Sequence, residues 1–287
     1  MIYLLLSILT SSSLFVIFKY FEKLQINTLQ AIIINYGVAC ISGFIAYGKF
    51  VKPSTIIDFD WFPFTLILGI VFITIFNFMG ITAQKNGLSV VAVASKMSVI
   101  VPIIYGVAIY KEELGVQKTL GILLALIAIY LVCVNPKNIK KEGKLIFPVL
   151  VFIGSGFIDT FLNVMETHYL KDNEVAIFSA CTFLIAFCTG MIIVLYQIIN
   201  GKFNFEIKNL IGGTILGIIN YFSIFFLIKA ISQPNLESST LFTINNVSIL
   251  IVTSIFGLVF FKEKLSKQNQ VGIVLACLGI VLVSLSI

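Results

Sequence analysis

The chain has 287 residues, of which 59% are hydrophobic and only 11% charged, and its mean hydropathy is +1.07. A soluble domain averages about 25% charged residues, so a water-exposed globule is excluded. The formal net charge of +6 rests on lysine with no arginine; on so apolar a chain it reads as loop charge facing a membrane surface, not as a nucleic-acid face.

A bilayer core takes about 20 apolar residues per helical span. Ten such runs follow one another, near 2–19, 27–48, 62–84, 88–110, 115–134, 145–169, 175–199, 209–231, 237–260 and 266–286. They are continuous rather than alternating, which argues against transmembrane strands. The first lacks a basic leader and a small-residue cleavage site, so it reads as a span. Polar residues interrupt the runs sparingly: Asn35 in the second, Asn77 in the third, Lys96 in the fourth, Asp159 and Asn163 in the sixth, Asn220 in the eighth, and Asn246 beside Asn245 in the ninth. Cys40, Cys133, Cys181, Cys188 and Cys277 all lie inside runs, with spacings that suit packing rather than disulfides or zinc.

The stretch GVAIYKEELGVQKTLGILLALIAIYLV (106–132) reappears as GLVFFKEKLSKQNQVGIVLACLGIVLV (257–283), with twelve of twenty-seven positions identical. The matches include Lys111/Lys262, Glu112/Glu263, Gln117/Gln268 and Gly121/Gly272, which apolar composition does not explain. An internal duplication follows, joined by the linker NPKNIKKEGK (135–144). Five spans per copy is an odd number, so the second copy must enter the membrane from the opposite face. The expected fold is an all-α integral membrane protein of ten transmembrane helices, built as two inverted five-helix repeats, 1–138 and 139–287. Alternating-access transporters have this architecture.

The paired stretches IVPIIYGVAIYKEELGVQKTLG and IVTSIFGLVFFKEKLSKQNQVG, together with SSSLFVIFK (11–19), resemble the EamA branch of the drug/metabolite transporter superfamily. The resemblance implies a multi-pass protein of the bacterial inner membrane that carries a small molecule. One departure is Pro102, whose counterpart is Val252 or Thr253.

Lys96 is the only charge between Leu88 and Tyr110. Aligning SKMSVIVP (95–102) with NNVSILIV (245–252) sets Lys96 opposite Asn246 and Ser98 opposite Ser248. Helical rise puts Lys96 about 12 Å inside one face and Asn246 about 14 Å inside the other. A lysine at mid-bilayer costs roughly 2.5–3.5 kcal/mol, so it should face a wet interior. Asp159 is the only acid well inside a span, but the two differ in depth by about 9 Å on helical rise, which demands tilt or stretch for direct pairing. The expected substrate-binding set is Lys96, Asn246, Asp159, Asn163, Asn220, Asn77 and Asn35. For the amides, interhelical hydrogen bonding is the competing explanation. Lys111 and Lys262 are read as interface anchors, and Glu112 and Glu263 as acids opening the next helix, where its dipole favours them. The glycines 121, 272 and 279, with GSG (154–156) and GGTILG (212–217), are read as close-packing points.

No Walker, HExxH or GxSxG pattern is present, which leaves a secondary transporter of a small polar metabolite, an amino acid or organic anion, moved by alternating access through a central cavity between the repeats. The alternatives are a membrane receptor or scaffold and, behind it, an intramembrane enzyme. The expected partners are the substrate and the lipid bilayer, with no nucleic acid, metal or cofactor, and a monomer or loose homodimer. Loop lysines number six on the side of the termini and twelve opposite. The positive-inside rule would thus put the termini outside, whereas the family resemblance implies cytoplasmic termini, the orientation adopted here.

Overall fold

A computed structural model describes residues 2–48, 53–98, 100–101, 104–105, 115–133, 145–171, 174–201, 203–231, 238–263 and 265–284. These residues are helical, with no strand among them. The helices are α1 (Ile2–Lys23), α2 (Thr28–Tyr47), α3 (Pro53–Ile57), α4 (Phe62–Lys85), α5 (Leu88–Met97), α6 (Val116–Cys133), α7 (Ile146–His168), α8 (Val175–Ile199), α9 (Ile207–Ile231), α10 (Ser238–Phe261) and α11 (Lys267–Ser284). A helix therefore stands at each of the ten apolar runs, and α3 is an addition. Continuous apolar sequence forms helix because hydrocarbon offers the backbone no other hydrogen-bond partner. Among the described residues six helices, α1, α2, α4, α8, α9 and α10, contain stretches long and apolar enough to cross a membrane, while α5, α6, α7 and α11 supply shorter apolar stretches. The chain is an integral, multi-pass membrane protein.

Helix ends fall where polar residues can satisfy them. After α1, Gln25 takes a left-handed conformation (φ 53°) and Ile26 N–H returns to the Phe21 carbonyl at 2.8 Å. Asn27 then caps α2, its side chain accepting from Gln30 N–H, and Gly48 ends that helix at φ 68°. The fourth run departs from the expected continuous span. Helix α5 stops at Met97, Ser98 forms a turn, and Val101 N–H donates to the Ser98 carbonyl at 2.9 Å. Pro102 supplies the reason: it has no N–H to give the carbonyl four residues back, which is that of Ser98.

The helices form two compact units that do not follow the repeat boundary. The first comprises residues 1–20, 78–159 and 222–287; the second comprises 21–77 and 160–221. Each draws equivalent spans from both copies. In the first unit, α6 packs on α11 and α5 on α10, each pair being repeat mates, around a core that includes Val93, Met97, Ala128, Leu250 and Ala276. The glycines predicted to allow close approach do so here. A Cβ on Gly279 would lie 3.1 Å from the Gly121 carbonyl oxygen, and one on Gly272 3.1 Å from that of Ala128.

In the second unit α2 packs on α8, again a repeat pair. The backbone of α9 presses against α2 through Gly213 and Gly217, where a Cβ would fall 2.6 Å from the Ala31 carbonyl oxygen and 2.8 Å from that of Asn35. Trp61, 1% exposed, anchors one end of this unit. Its indole N–H donates to Glu174 Oε2 at 3.1 Å, and its ring stacks on Phe59 and meets Phe178 edge-on.

Candidate functional site

The break after α5 sets Lys96 in the last turn of a helix, where the carbonyl end of the dipole favours a cation. Lys96 is half-buried, and Ser98 follows it fully buried. The Ser98 hydroxyl donates to Asp159 Oδ2 at 3.1 Å, and the Lys96 ammonium lies within electrostatic reach of the same carboxylate. Among the described residues, Asp159 is thus bonded directly by Ser98 and meets Lys96 through charge alone, without an ion pair. Gly156 makes this possible, because its missing Cβ lets α7 approach to where Val101 and the Ser98 carbonyl oxygen would otherwise be struck.

The surroundings of Asp159 carry the most information. Helix α7 exposes an apolar stripe of Ile146, Val149, Ile153 and Phe157, the face expected to meet lipid. Asp159 lies about 120° round the helix from the middle of that stripe, at 100° per residue. Its neighbours on that side, Ser155 and Gly156, are buried, yet Asp159 itself is exposed. A carboxylate cannot meet hydrocarbon at this position without a large penalty. That side of α7 is therefore expected to turn away from lipid.

The remaining predicted residues fall into separate settings. Asn246 is half-buried on α10, which packs on α5, but no hydrogen bond joins it to Lys96 among the described residues. Its neighbour Asn245 is 2% exposed and accepts from the Ser7 hydroxyl at 3.2 Å, a link between α10 and α1. In the second unit, Asn35 and Asn220 form a buried pair, Asn220 Nδ2 donating to Asn35 Oδ1 at 3.2 Å. This pair joins the two helices that Gly213 and Gly217 bring together, as interhelical bonding of amides would. The Asn35 Nδ2 has no partner. Asn77 is half-buried in α4. Asn163 lies in α7, and its side chain falls outside the described residues.

Two residues were not legible as they are used. Ser98, the direct partner of Asp159, carried one signal, its identity with Ser248 in the aligned copy. Glu263 was expected to open the next helix; instead its carboxylate reaches the start of α5, accepting from Leu88 N–H at 2.9 and 3.2 Å. It sits where Gly87 (φ 109°) and Gly257 have no side chains, a Cβ on Gly257 falling 2.7 Å from Oε2. The helix that follows Glu263 is instead begun by Ser266, whose hydroxyl accepts from Asn269 N–H at 3.2 Å and donates to Asn269 Oδ1 at 2.6 Å. The dipole that Glu263 meets is that of α5, not that of the helix after it. Lys262 is exposed, as an interface anchor would be; Lys111 and Glu112 lie outside the described residues.

Known proteins resemble this chain in sequence and fold. A protein of Haemophilus influenzae described as uncharacterized is 26% identical over 276 residues, spanning 94% of this chain and 93% of that protein. A solved structure described only as the crystal structure of a protein superposes with a TM-score of 0.58 at 14% identity, over 99% of this chain and 97% of the other. That likeness speaks to fold alone. The EamA-like transporter family matches twice, over residues 1–134 and 146–285, so nearly the whole length is accounted for as two copies of one unit. The chain belongs to the EamA-like transporter family.

Proposed function

We propose that the protein is a secondary transporter of the bacterial inner membrane, with ten membrane-crossing helices in two oppositely threaded repeats. It moves a small amphoteric or anionic metabolite, of the amino acid or organic acid class, by alternating access. The observation that carries this reading is the Asp159 carboxylate on α7, which accepts from the Ser98 hydroxyl and lies within electrostatic reach of the Lys96 ammonium. A cation and an anion within electrostatic reach offset each other until a ligand comes between them. A substrate carboxylate competes with Asp159 for Lys96, and a substrate amine competes with Lys96 for Asp159. Each exchange replaces one charge-assisted contact by another, so binding need not leave a charge unpaired in the membrane. Asn246 supplies a neutral hydrogen-bonding group on α10, the helix packed against α5. In this reading the Asn35–Asn220 pair is a structural tie. Among the described residues, Asp159 is the acid this reading would use to exchange a proton during the cycle.

The test has two stages. Melting of the purified chain is screened against the common amino acids and small carboxylates, since a ligand bound by the folded state raises Tm by mass action. Uptake of any stabilising compound is then measured in proteoliposomes. Lys96→Ala should abolish uptake in a protein that still folds, and Asp159→Asn should reduce it at least tenfold. Uptake at the wild-type rate in Lys96→Ala would refute the reading.

A further inference from the structure

The ends of α1 and α4 and the starts of α5 and α11 enclose a crevice of about 230 Å³ in the first unit. It lies at the opposite end of α5 from Lys96 and plays no part in the proposed transport step. Its walls include Lys19, Lys85, Asn86, Ser89 and Glu263. Lys19 is held in place, its ammonium donating to the Gln84 carbonyl oxygen at 2.7 Å while Gln84 Nε2 donates to the Phe18 carbonyl at 3.1 Å. Lys85 is exposed at the rim. Ser89 is 1% exposed, and its hydroxyl has no hydrogen-bond partner. Asn86 Oδ1 is likewise buried and unpartnered. Native proteins rarely leave such atoms unsatisfied without a ligand or water to complete them.

Three facts fix the chemistry. The crevice opens at the start of a ten-residue helix, where backbone N–H groups and the dipole favour an anion. Glu263 contributes one negative charge, turned onto Leu88 N–H, against the two lysines, so the lining is net positive. Finally, the crevice lies where helices end, the depth of the phosphate layer of a bilayer. Basic pockets at helix ends are suited to lipid headgroups. Asn86 Oδ1, an acceptor, suits a hydroxyl or ammonium group attached beyond the phosphate.

We propose that this crevice binds a phosphoryl oxyanion at the membrane surface, with Lys19 and Lys85 neutralising it and Ser89 donating to it. The ligand is a phospholipid headgroup or a soluble phosphate of the same chemistry. The experiment uses the full chain, delipidated in neutral detergent, and follows its melting. Phosphatidylglycerol and phosphatidylethanolamine are added in one arm, inorganic phosphate and glycerol phosphate in a second, and diacylglycerol in a third. Stabilisation by several degrees in the first arm alone assigns a lipid, and in the second a soluble phosphate. The Lys19→Gln/Lys85→Gln variant should lose most of the shift, and Ser89→Ala part of it. Lys85→Gln alone, changed at an exposed position, keeps the test intact if the double variant fails to fold, and should roughly halve the shift. The proposal is overturned if no phosphate compound raises Tm, if diacylglycerol does so equally, or if the Lys85→Gln shift matches wild type. None of these outcomes depends on whether Lys96→Ala transports.

Discussion

Gly156→Ala tests whether the approach of α7 to the broken end of α5 is what assembles the Lys96–Ser98–Asp159 group. The added methyl would lie inside the Val101 side chain and 2.9 Å from the Ser98 carbonyl oxygen. Ordinary contact distances require the helices to part by about 1 Å. That motion would stretch the Ser98–Asp159 bond from 3.1 Å to beyond the hydrogen-bonding limit. Overpacking costs about 1–3 kcal/mol, and losing a hydrogen bond to a charged acceptor about 1.5–3 kcal/mol. Better helix propensity returns at most about 1 kcal/mol. The net loss of about 1.5–5 kcal/mol should lower Tm by roughly 3–15 °C in a chain of this size. Gly115→Ala is the control, since a Cβ there meets nothing within 4 Å; its cost should stay below about 1 kcal/mol, that of a poorer N-cap. Combining Gly156→Ala with Val101→Ala should recover at least half of the loss, because the two positions share one contact. If Gly156→Ala melts with the control, or the double variant shows no recovery, the close approach does not hold the group together.

Other contacts yield simpler expectations. Glu263→Ala should lower stability by about 1 kcal/mol through the uncapped start of α5, and Glu263→Gln by less, both read as Tm. Trp61→Phe leaves the Glu174 carboxylate without its indole donor and should cost about 1–3 kcal/mol; Tm again reports it. Replacing Asn35 and Asn220 together by Leu should leave melting within about 1 kcal/mol of wild type and preserve uptake, because deleting both partners removes the unpaired Nδ2 as well. A selective loss of uptake in that variant would move the pair from structural tie to transport site.

The helices were readable because each is a local feature: a long apolar run has one solution in hydrocarbon, and Asn27 or Gly48 marks where it stops. Lys96 was readable because a charge in such a run is expensive wherever it points. Ser98 was not, since a hydroxyl in an apolar helix ordinarily returns to its own backbone, and this one also donates to the Ser95 carbonyl at 2.6 Å. Glu263 escaped for a different reason. Its partner, Leu88 N–H, is 175 positions away, and nothing local distinguishes an acid that caps its own helix from one that caps another. The grouping of helices was equally hidden. Lipid-facing surfaces such as Ile146, Val149, Ile153 and Phe157 are as apolar as buried ones, so periodicity does not say which helix meets which. Only the glycines pointed to contacts, and Gly121 with Gly279 met as a small-residue reading suggests.

The duplicated sequence and the interleaved units together constrain the mechanism. Each compact unit takes equivalent helices from both copies, and the strongest pairings, α6 with α11 and α2 with α8, join a helix to its own repeat mate. A scaffold of this kind can exchange the conformations of its two copies without creating new kinds of contact, which is what alternating access needs. The charges do not share the symmetry. Lys96 faces an asparagine in the second copy, and the first span, equivalent to the one that holds Asp159, contains no acid between Ile2 and Lys19. Under the transport proposed above, a symmetric frame carrying one cation and one anion would present the same charge pair to both sides of the membrane in turn. A dipolar substrate would then keep a single orientation throughout the cycle, its acidic end toward α5 and its basic end toward α7. Exchanging the two residues, Lys96→Asp with Asp159→Lys, should preserve the neutral pair and the fold while turning that orientation round. A stable, correctly folded double variant with wild-type uptake of the same dipolar substrate would show that orientation is set elsewhere.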